Sequence, residues 1–112
     1  MKIKVEESLR LEDGKHEGEI EDVQYRDTPY NYVDVIVKIG NGKMTASYPR
    51  VVNEDSLLGN LLLRFGSTLE IGKDIEVEEF LTKGKKVEFQ TLTKKGKDGK
   101  DYSNIIRESL KP

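Results

Sequence analysis

Cysteine and tryptophan are both absent from the chain. Without cysteine there is no disulfide, no thiolate nucleophile and no zinc-ribbon site, and a reducing cytosol is the compartment that suits such a chain. Histidine occurs once, at His16, which excludes a multi-histidine metal site. No apolar run approaches the roughly 20 residues that a bilayer requires. The opening Met1-Lys2-Ile3-Lys4-Val5-Glu6-Glu7 lacks the apolar segment of a secretory signal. There is no Gly-x-x-x-x-Gly-Lys-Ser/Thr loop and no nucleophile elbow. The acids that abound fall in rows, Glu17, Glu19 and Glu21 in one stretch and Glu76, Glu78 and Glu79 in another. Rows of that kind are solvated faces rather than catalytic pairs. The expectation is therefore a cytoplasmic, non-enzymatic protein without cofactor, metal or membrane association.

What the chain does have is charge, unevenly spread. The formal total is −2. Residues 1–34 hold ten acids against five bases, while residues 83–100 hold seven lysines against Glu88 and Asp98. The basic end is a stretch of two runs rich in Val, Phe, Thr, Tyr and Ile, residues 85–93 and 101–107, on either side of a glycine-punctuated tip. That pattern predicts a β-hairpin whose tip presents Lys94, Lys95, Lys97 and Lys100.

The length, 112 residues, fits one domain with one core. Residues 1–14 read as a loose leader with room for one short strand, and residues 15–112 as the domain. Residues 15–25 predict a first strand. Its inward set passes from Gly18 and Ile20 to Val23 and Tyr25, a one-residue phase shift that marks a β-bulge. Residues 26–31, Arg-Asp-Thr-Pro-Tyr-Asn, form a turn-rich loop. Residues 32–39 are the clearest strand, with Val33, Val35, Val37 and Ile39 on one face and Tyr32, Asp34, Ile36 and Lys38 on the other. Gly40-Asn41-Gly42 makes a hairpin turn into a third strand, residues 43–48, where Met44, Ala46 and Tyr48 face inward. Leu57, Leu58, Leu61, Leu62 and Phe65 then recur at helical spacing, with Asp55 or Ser56 as cap and Gly66 as stop. Residues 74–82 suggest a second short helix with Ile75 and Phe80 inward, although Ile75 and Val77 also suit a strand.

Three strands, a helix and a two-stranded hairpin come in the order of a mainly β, five-stranded OB-fold Greek-key barrel with a helix between strands 3 and 4. In that fold, ligands lie across strands 2 and 3, between the loops joining strands 1–2 and 4–5. Here these are residues 26–31 and 94–100. Arg26, Tyr30 and Tyr32 thus fall at one end of such a face and the lysine tip at the other. Lys38, Lys43 and Arg107 are further candidates for phosphate or stacking contacts. Tyr25 and Tyr48 have the inward parity of core residues. Asp34 shares the outward face and would repel phosphate, unless it accepts a bond from a base edge or pairs with a lysine.

The segments Lys-Met-Thr-Ala-Ser-Tyr-Pro (43–49), Ser-Leu-Leu-Gly-Asn-Leu-Leu-Leu-Arg-Phe-Gly (56–66) and Gly-Lys-Lys-Val-Glu-Phe-Gln-Thr followed by Gly-Lys-Asp-Gly-Lys-Asp-Tyr-Ser-Asn-Ile-Ile-Arg (84–107) resemble an OB-fold family of viruses and mobile elements. Its members are small single-stranded-DNA-binding or replication-accessory proteins. The similarity covers about residues 15–112 and implies an OB barrel acting on single strands. The chain departs from bacterial single-stranded-DNA-binding proteins in ending Leu110-Lys111-Pro112, without their acidic recruiting tail.

The expected function is sequence-independent binding of single-stranded DNA, or RNA, in replication or recombination. Lysines and Arg26 would hold phosphates while Tyr30 and Tyr32 stack bases. The alternative is an interaction module that docks on replication or repair enzymes and binds no nucleic acid itself, which the acidic first strand favours. Replication proteins are the expected protein partners, and the long strand edges would allow a homodimer.

Overall fold

In the computed structural model, residues 1–3 and 11–112 are described. The strand envisaged in the leader has no counterpart in residues 1–3 or 11–13, and residues 4–10 lie outside the described part. Residues 11–13 are nonetheless tied down. The Asp13 carboxylate accepts from the backbone N–H of Thr93 at 2.8 Å and from its hydroxyl at 2.7 Å. The Leu11 N–H donates to Ser103 Oγ at 3.0 Å.

Five strands form one antiparallel sheet: β1 (Gly14–Arg26), β2 (Tyr32–Ile39), β3 (Gly42–Pro49), β4 (Lys86–Lys95) and β5 (Asp101–Ile105). The order is β3-β2-β1-β4-β5. Strand β1 serves both halves, because its first residues pair with β4 and its later ones with β2. The register skips between Ile20 and Asp22, so the extra residue Glu21 is the bulge that the phase shift predicted. Gly18 lets the strands cross closely at the same place. A Cβ there would lie 2.7 Å from the Lys38 carbonyl oxygen and 2.8 Å from Val37 Cγ1.

The end strands β3 and β5 approach one another. A 3-10 turn, Arg107–Ser109, seals the approach. Tyr48 Oη donates to the Arg107 carbonyl at 2.9 Å, and Arg107 Nη1 donates to the Ser47 carbonyl at 3.3 Å. Beyond the turn, Lys111 and Glu88 exchange backbone hydrogen bonds at 2.8 and 3.0 Å, so the C-terminal segment covers part of β4. The basic hairpin is therefore shorter than its sequence suggests: β5 ends at Ile105, and Arg107 belongs to the turn.

Helix α1 (Leu57–Arg64) lies in sequence between β3 and β4, followed by the four-residue helix α2 (Val77–Phe80). Ser56 caps α1 by accepting from the Gly59 N–H at 2.9 Å. The helix stops at Gly66, which takes a φ of 95°. There Gly66 N–H donates to Leu63 O and Ser67 N–H to Leu62 O, the paired bonds of a Schellman ending. Leu58, Leu61 and Leu62 are buried with Ile20, Val33, Val35, Val37, Tyr48 and Phe89 in one core. Burial of each such leucine contributes about 1.5–3 kcal/mol.

Tyr25 corrects its expected place. It stands opposite Val33, on the inner face, yet is 48 % exposed. It is the next-to-last residue of β1, where the inner face opens to solvent, and its hydroxyl donates to Glu78 Oε1 of α2 at 2.7 Å.

Candidate nucleic-acid interface

The loop 27–31 joins β1 to β2 and carries a cis Thr28–Pro29 peptide bond. Arg50, just past β3, holds it from both sides. Its Nη2 meets Asp27 Oδ1 at 2.7 Å and its N–H donates to the Asn31 carbonyl at 3.0 Å. At the foot of this loop Arg26 pairs with Tyr32 in the sheet register. The Arg26 guanidinium carbon sits 4.8 Å from the centre of the Tyr32 ring, a cation–π distance. Tyr30, on the loop, is 69 % exposed and meets Tyr32 edge-on, with ring centres 6.4 Å apart and planes at 74°. Nothing in the core requires Tyr30.

Asp34 sits beside this pair on the same outer face and is only 8 % exposed. It accepts from Arg26 Nε at 2.6 Å, from Arg26 Nη2 at 3.1 Å and from Ser47 Oγ at 2.7 Å. Burial by itself pushes the Asp34 carboxyl up, but the Arg26 and Ser47 hydrogen bonds outweigh it and hold the group below its ordinary value. The Asp34 bond raises Arg26 in turn. Arg26, expected as a phosphate ligand, thus spends two donors and much of its charge on the neighbouring Asp34 carboxylate. Asp34 pairs with this arginine rather than with a lysine. Arg107 is half-buried and bonds the Ser47 carbonyl, so it supports the strand that supports Asp34.

Lys38 and Lys43 stand directly opposite one another near the β2–β3 turn. Across β1 the same rung continues through Glu19 to Lys86 of β4. Lys43 Nζ lies 3.8 Å from Glu21 Oε2, a loose and exposed pair that contributes little. A surface cavity of about 490 Å³ adjoins the rung, lined by Glu17, Glu19, Lys38, Lys86, Glu88 and Pro112 among others. Its charges are of both signs.

The β4–β5 tip is shaped by Asp98. Its carboxylate accepts from the Lys100 N–H at 3.0 Å and from the Tyr102 hydroxyl, while the Gly96 N–H donates to the Lys100 carbonyl at 2.8 Å. The Tyr102 bond, with that of Lys100, holds the Asp98 carboxyl below its ordinary value. Lys94, Lys95, Lys97 and Lys100 are all exposed, and none forms an ion pair among the described residues.

The expected residues therefore form three groups. Arg26, Tyr30 and Tyr32 make one cluster, which Arg107 reaches through Ser47. Lys38 and Lys43 form a pair six residues further along β2. The four tip lysines form the third. In register the tip extends past the starting end of β1, whereas the loop 27–31 follows its finishing end. No hydrogen bond or ion pair among the described residues joins the tip to the tyrosine cluster. Sequence reasoning missed Ser47 and the role of Asp34. The signal for Asp34 was present: Arg26 opposite Tyr32 puts Asp34 diagonally across the strand pair, within reach of a long side chain of opposite charge. Among the described residues no group of three or more His, Cys, Asp or Glu side chains is placed to hold a metal ion, and no helix is long and apolar enough to cross a membrane.

Comparison with models of known protein families gives no match, and comparison with curated protein sequences gives none either.

Proposed function

We propose that this chain is an OB-fold protein that binds single-stranded DNA with little sequence preference, as a replication or recombination accessory in the cytoplasm. Its resemblance to the single-strand-binding family of viruses and mobile elements is part of that reading. The strand order β3-β2-β1-β4-β5, with β3 and β5 approaching each other, supports the OB assignment. The observation that carries the function is the aromatic pair. Tyr30 is presented to solvent from a loop tied to β3, braced against a Tyr32 that rests on a fixed guanidinium. Bases stack on exposed aromatic faces for about 1–3 kcal/mol each. The unpaired tip lysines supply the phosphate contacts that such stacking needs.

The test is fluorescence polarisation with a labelled oligothymidylate at low salt. Saturable binding is expected, weakened about fivefold or more by Tyr30→Ala with an unchanged melting temperature. A flat titration of the parent protein would sink the proposal.

The docking-module reading draws on a different observation. Val51, Val52, Leu63 and Ile71 are exposed, all in the segment between β3 and β4, where the core does not use them. A stoichiometric protein partner retained without any oligonucleotide would favour that reading.

A further inference from the structure

An acidic side chain in the middle of a face that takes a polyanion ought to weaken binding. We infer the opposite for Asp34: it is a positioning residue whose negative charge helps to bind single strands by fixing the stacking platform. The inference rests on the single-strand reading above and concerns how the same face is built.

A carboxylate offers about four acceptor sites. Asp34 uses three of them, two on Arg26 and one on Ser47. The two Arg26 bonds run from Nε and Nη2, a fork that fixes the guanidinium plane as well as its position. The guanidinium carbon lies 4.8 Å from the Tyr32 ring centre, so one side of Tyr32 is backed by a held cation. The ring's neighbour Tyr30 is then braced edge-on. Ser47 is itself anchored through its carbonyl by Arg107. Each link in the chain Arg107–Ser47–Asp34–Arg26–Tyr32–Tyr30 is a specific contact, and Asp34 is its buried member. A polyanion gains little by displacing Asp34 from Arg26, because the carboxylate is already desolvated and bonded. The face therefore divides its labour: its neutralised end takes bases and the tip lysines take phosphates.

The substitutions separate the two expectations by sign. Asp34→Asn removes a negative charge from the binding face at nearly constant size, so long-range electrostatics alone demands tighter binding. Positioning demands weaker binding, because an amide cannot accept both Arg26 bonds through two oxygens. Arg26→Lys keeps the charge and loses the fork, and it is a surface change that folding should tolerate. With labelled oligothymidylate at low salt, both variants are expected to bind about fivefold or more weakly. The double variant Asp34→Asn/Tyr32→Ala is expected to bind like Tyr32→Ala, since Asp34 acts through that ring.

Tighter or unchanged binding by Arg26→Lys and by folded Asp34→Asn would overturn the inference while leaving single-strand binding intact. So would an Asp34→Asn effect that persists in full without Tyr32. Absence of oligonucleotide binding by the parent protein would remove the single-strand reading itself, and this inference with it.

Discussion

Asp34 and its partners also set a pH dependence. Hydrogen bonds from Arg26 and Ser47 outweigh its burial and hold its folded-state carboxyl below the ordinary value, which is about 3.9 in an unfolded chain. A group depressed in this way contributes stability that is fully present above about pH 4 and is lost as pH falls through the folded value. Parent and Asp34→Asn proteins should therefore differ in melting temperature at pH 7, and the gap should close progressively below pH 4. Thermal unfolding followed by circular dichroism across pH 7 to 2 checks this; a gap of constant size would contradict it. The same residue shows what alternation along a strand conveys. It gave the side of the sheet on which Asp34 stands, but not its depth, because the cover comes from Arg26 and Ser47 on two other strands. Tyr25 and Tyr48 make the point from the inner face. Both have inward parity, yet Tyr48 is sealed by the turn at Arg107 while Tyr25 stands at an open strand end. Burial and the nearby Glu78 push the Tyr25 phenol up to about 12.

At the level of elements, the parts with strong local chemistry were the legible ones. The cap of α1 was visible as Asp55 or Ser56 and its stop as Gly66, and the β2–β3 hairpin as alternation around a glycine-rich turn. Residues 74–82 were less so, since apolar residues at 75, 77, 80 and 81 satisfy two periods at once; only Val77–Phe80 is helical. The extent of β5 was hidden for another reason. Tyr102 to Arg107 reads as a continuous strand, but the chain must turn at 107 to reach the edge of β3. Ser56→Ala removes the acceptor for the Gly59 N–H and for the Asn53 N–H, and should cost about 1 kcal/mol of stability in urea unfolding without altering oligonucleotide affinity. At the hairpin tip, Lys95→Glu combined with Lys97→Glu should lower oligonucleotide affinity at least tenfold, since each reversal replaces an attraction to phosphate with a repulsion. Both lysines are exposed and unpaired among the described residues, so the melting temperature should hardly change. Affinity indifferent to the double reversal would place the phosphate contacts elsewhere.

Over the whole molecule the charges nearly cancel, to −2, so any polyanion must be held by a local field rather than by the net charge. The acids of β1 at Glu17 and Glu19 lie on the outer face between the two basic regions, and they narrow the area from which phosphate can be gripped. This makes the salt dependence a count of the cations engaged. For single strands the slope of log affinity against log salt is about −0.7 per neutralised phosphate. Four tip lysines then give a slope of about −3, and the charge reversal at Lys95 and Lys97 should bring it to about −1.5 or less. Arg26 should not enter the count, because Asp34 already holds its charge; Arg26→Lys should lower affinity at every salt concentration and leave the slope as it was. Titrations from low to moderate NaCl with parent, tip-reversed and Arg26→Lys proteins measure all three slopes. A parent slope nearer about −4 would enlist Lys38 and Lys43 as well. A slope that changes in either direction in Arg26→Lys would mean that the cation at this position also meets bound phosphate, and that stacking and charge are not divided between separate parts of the face.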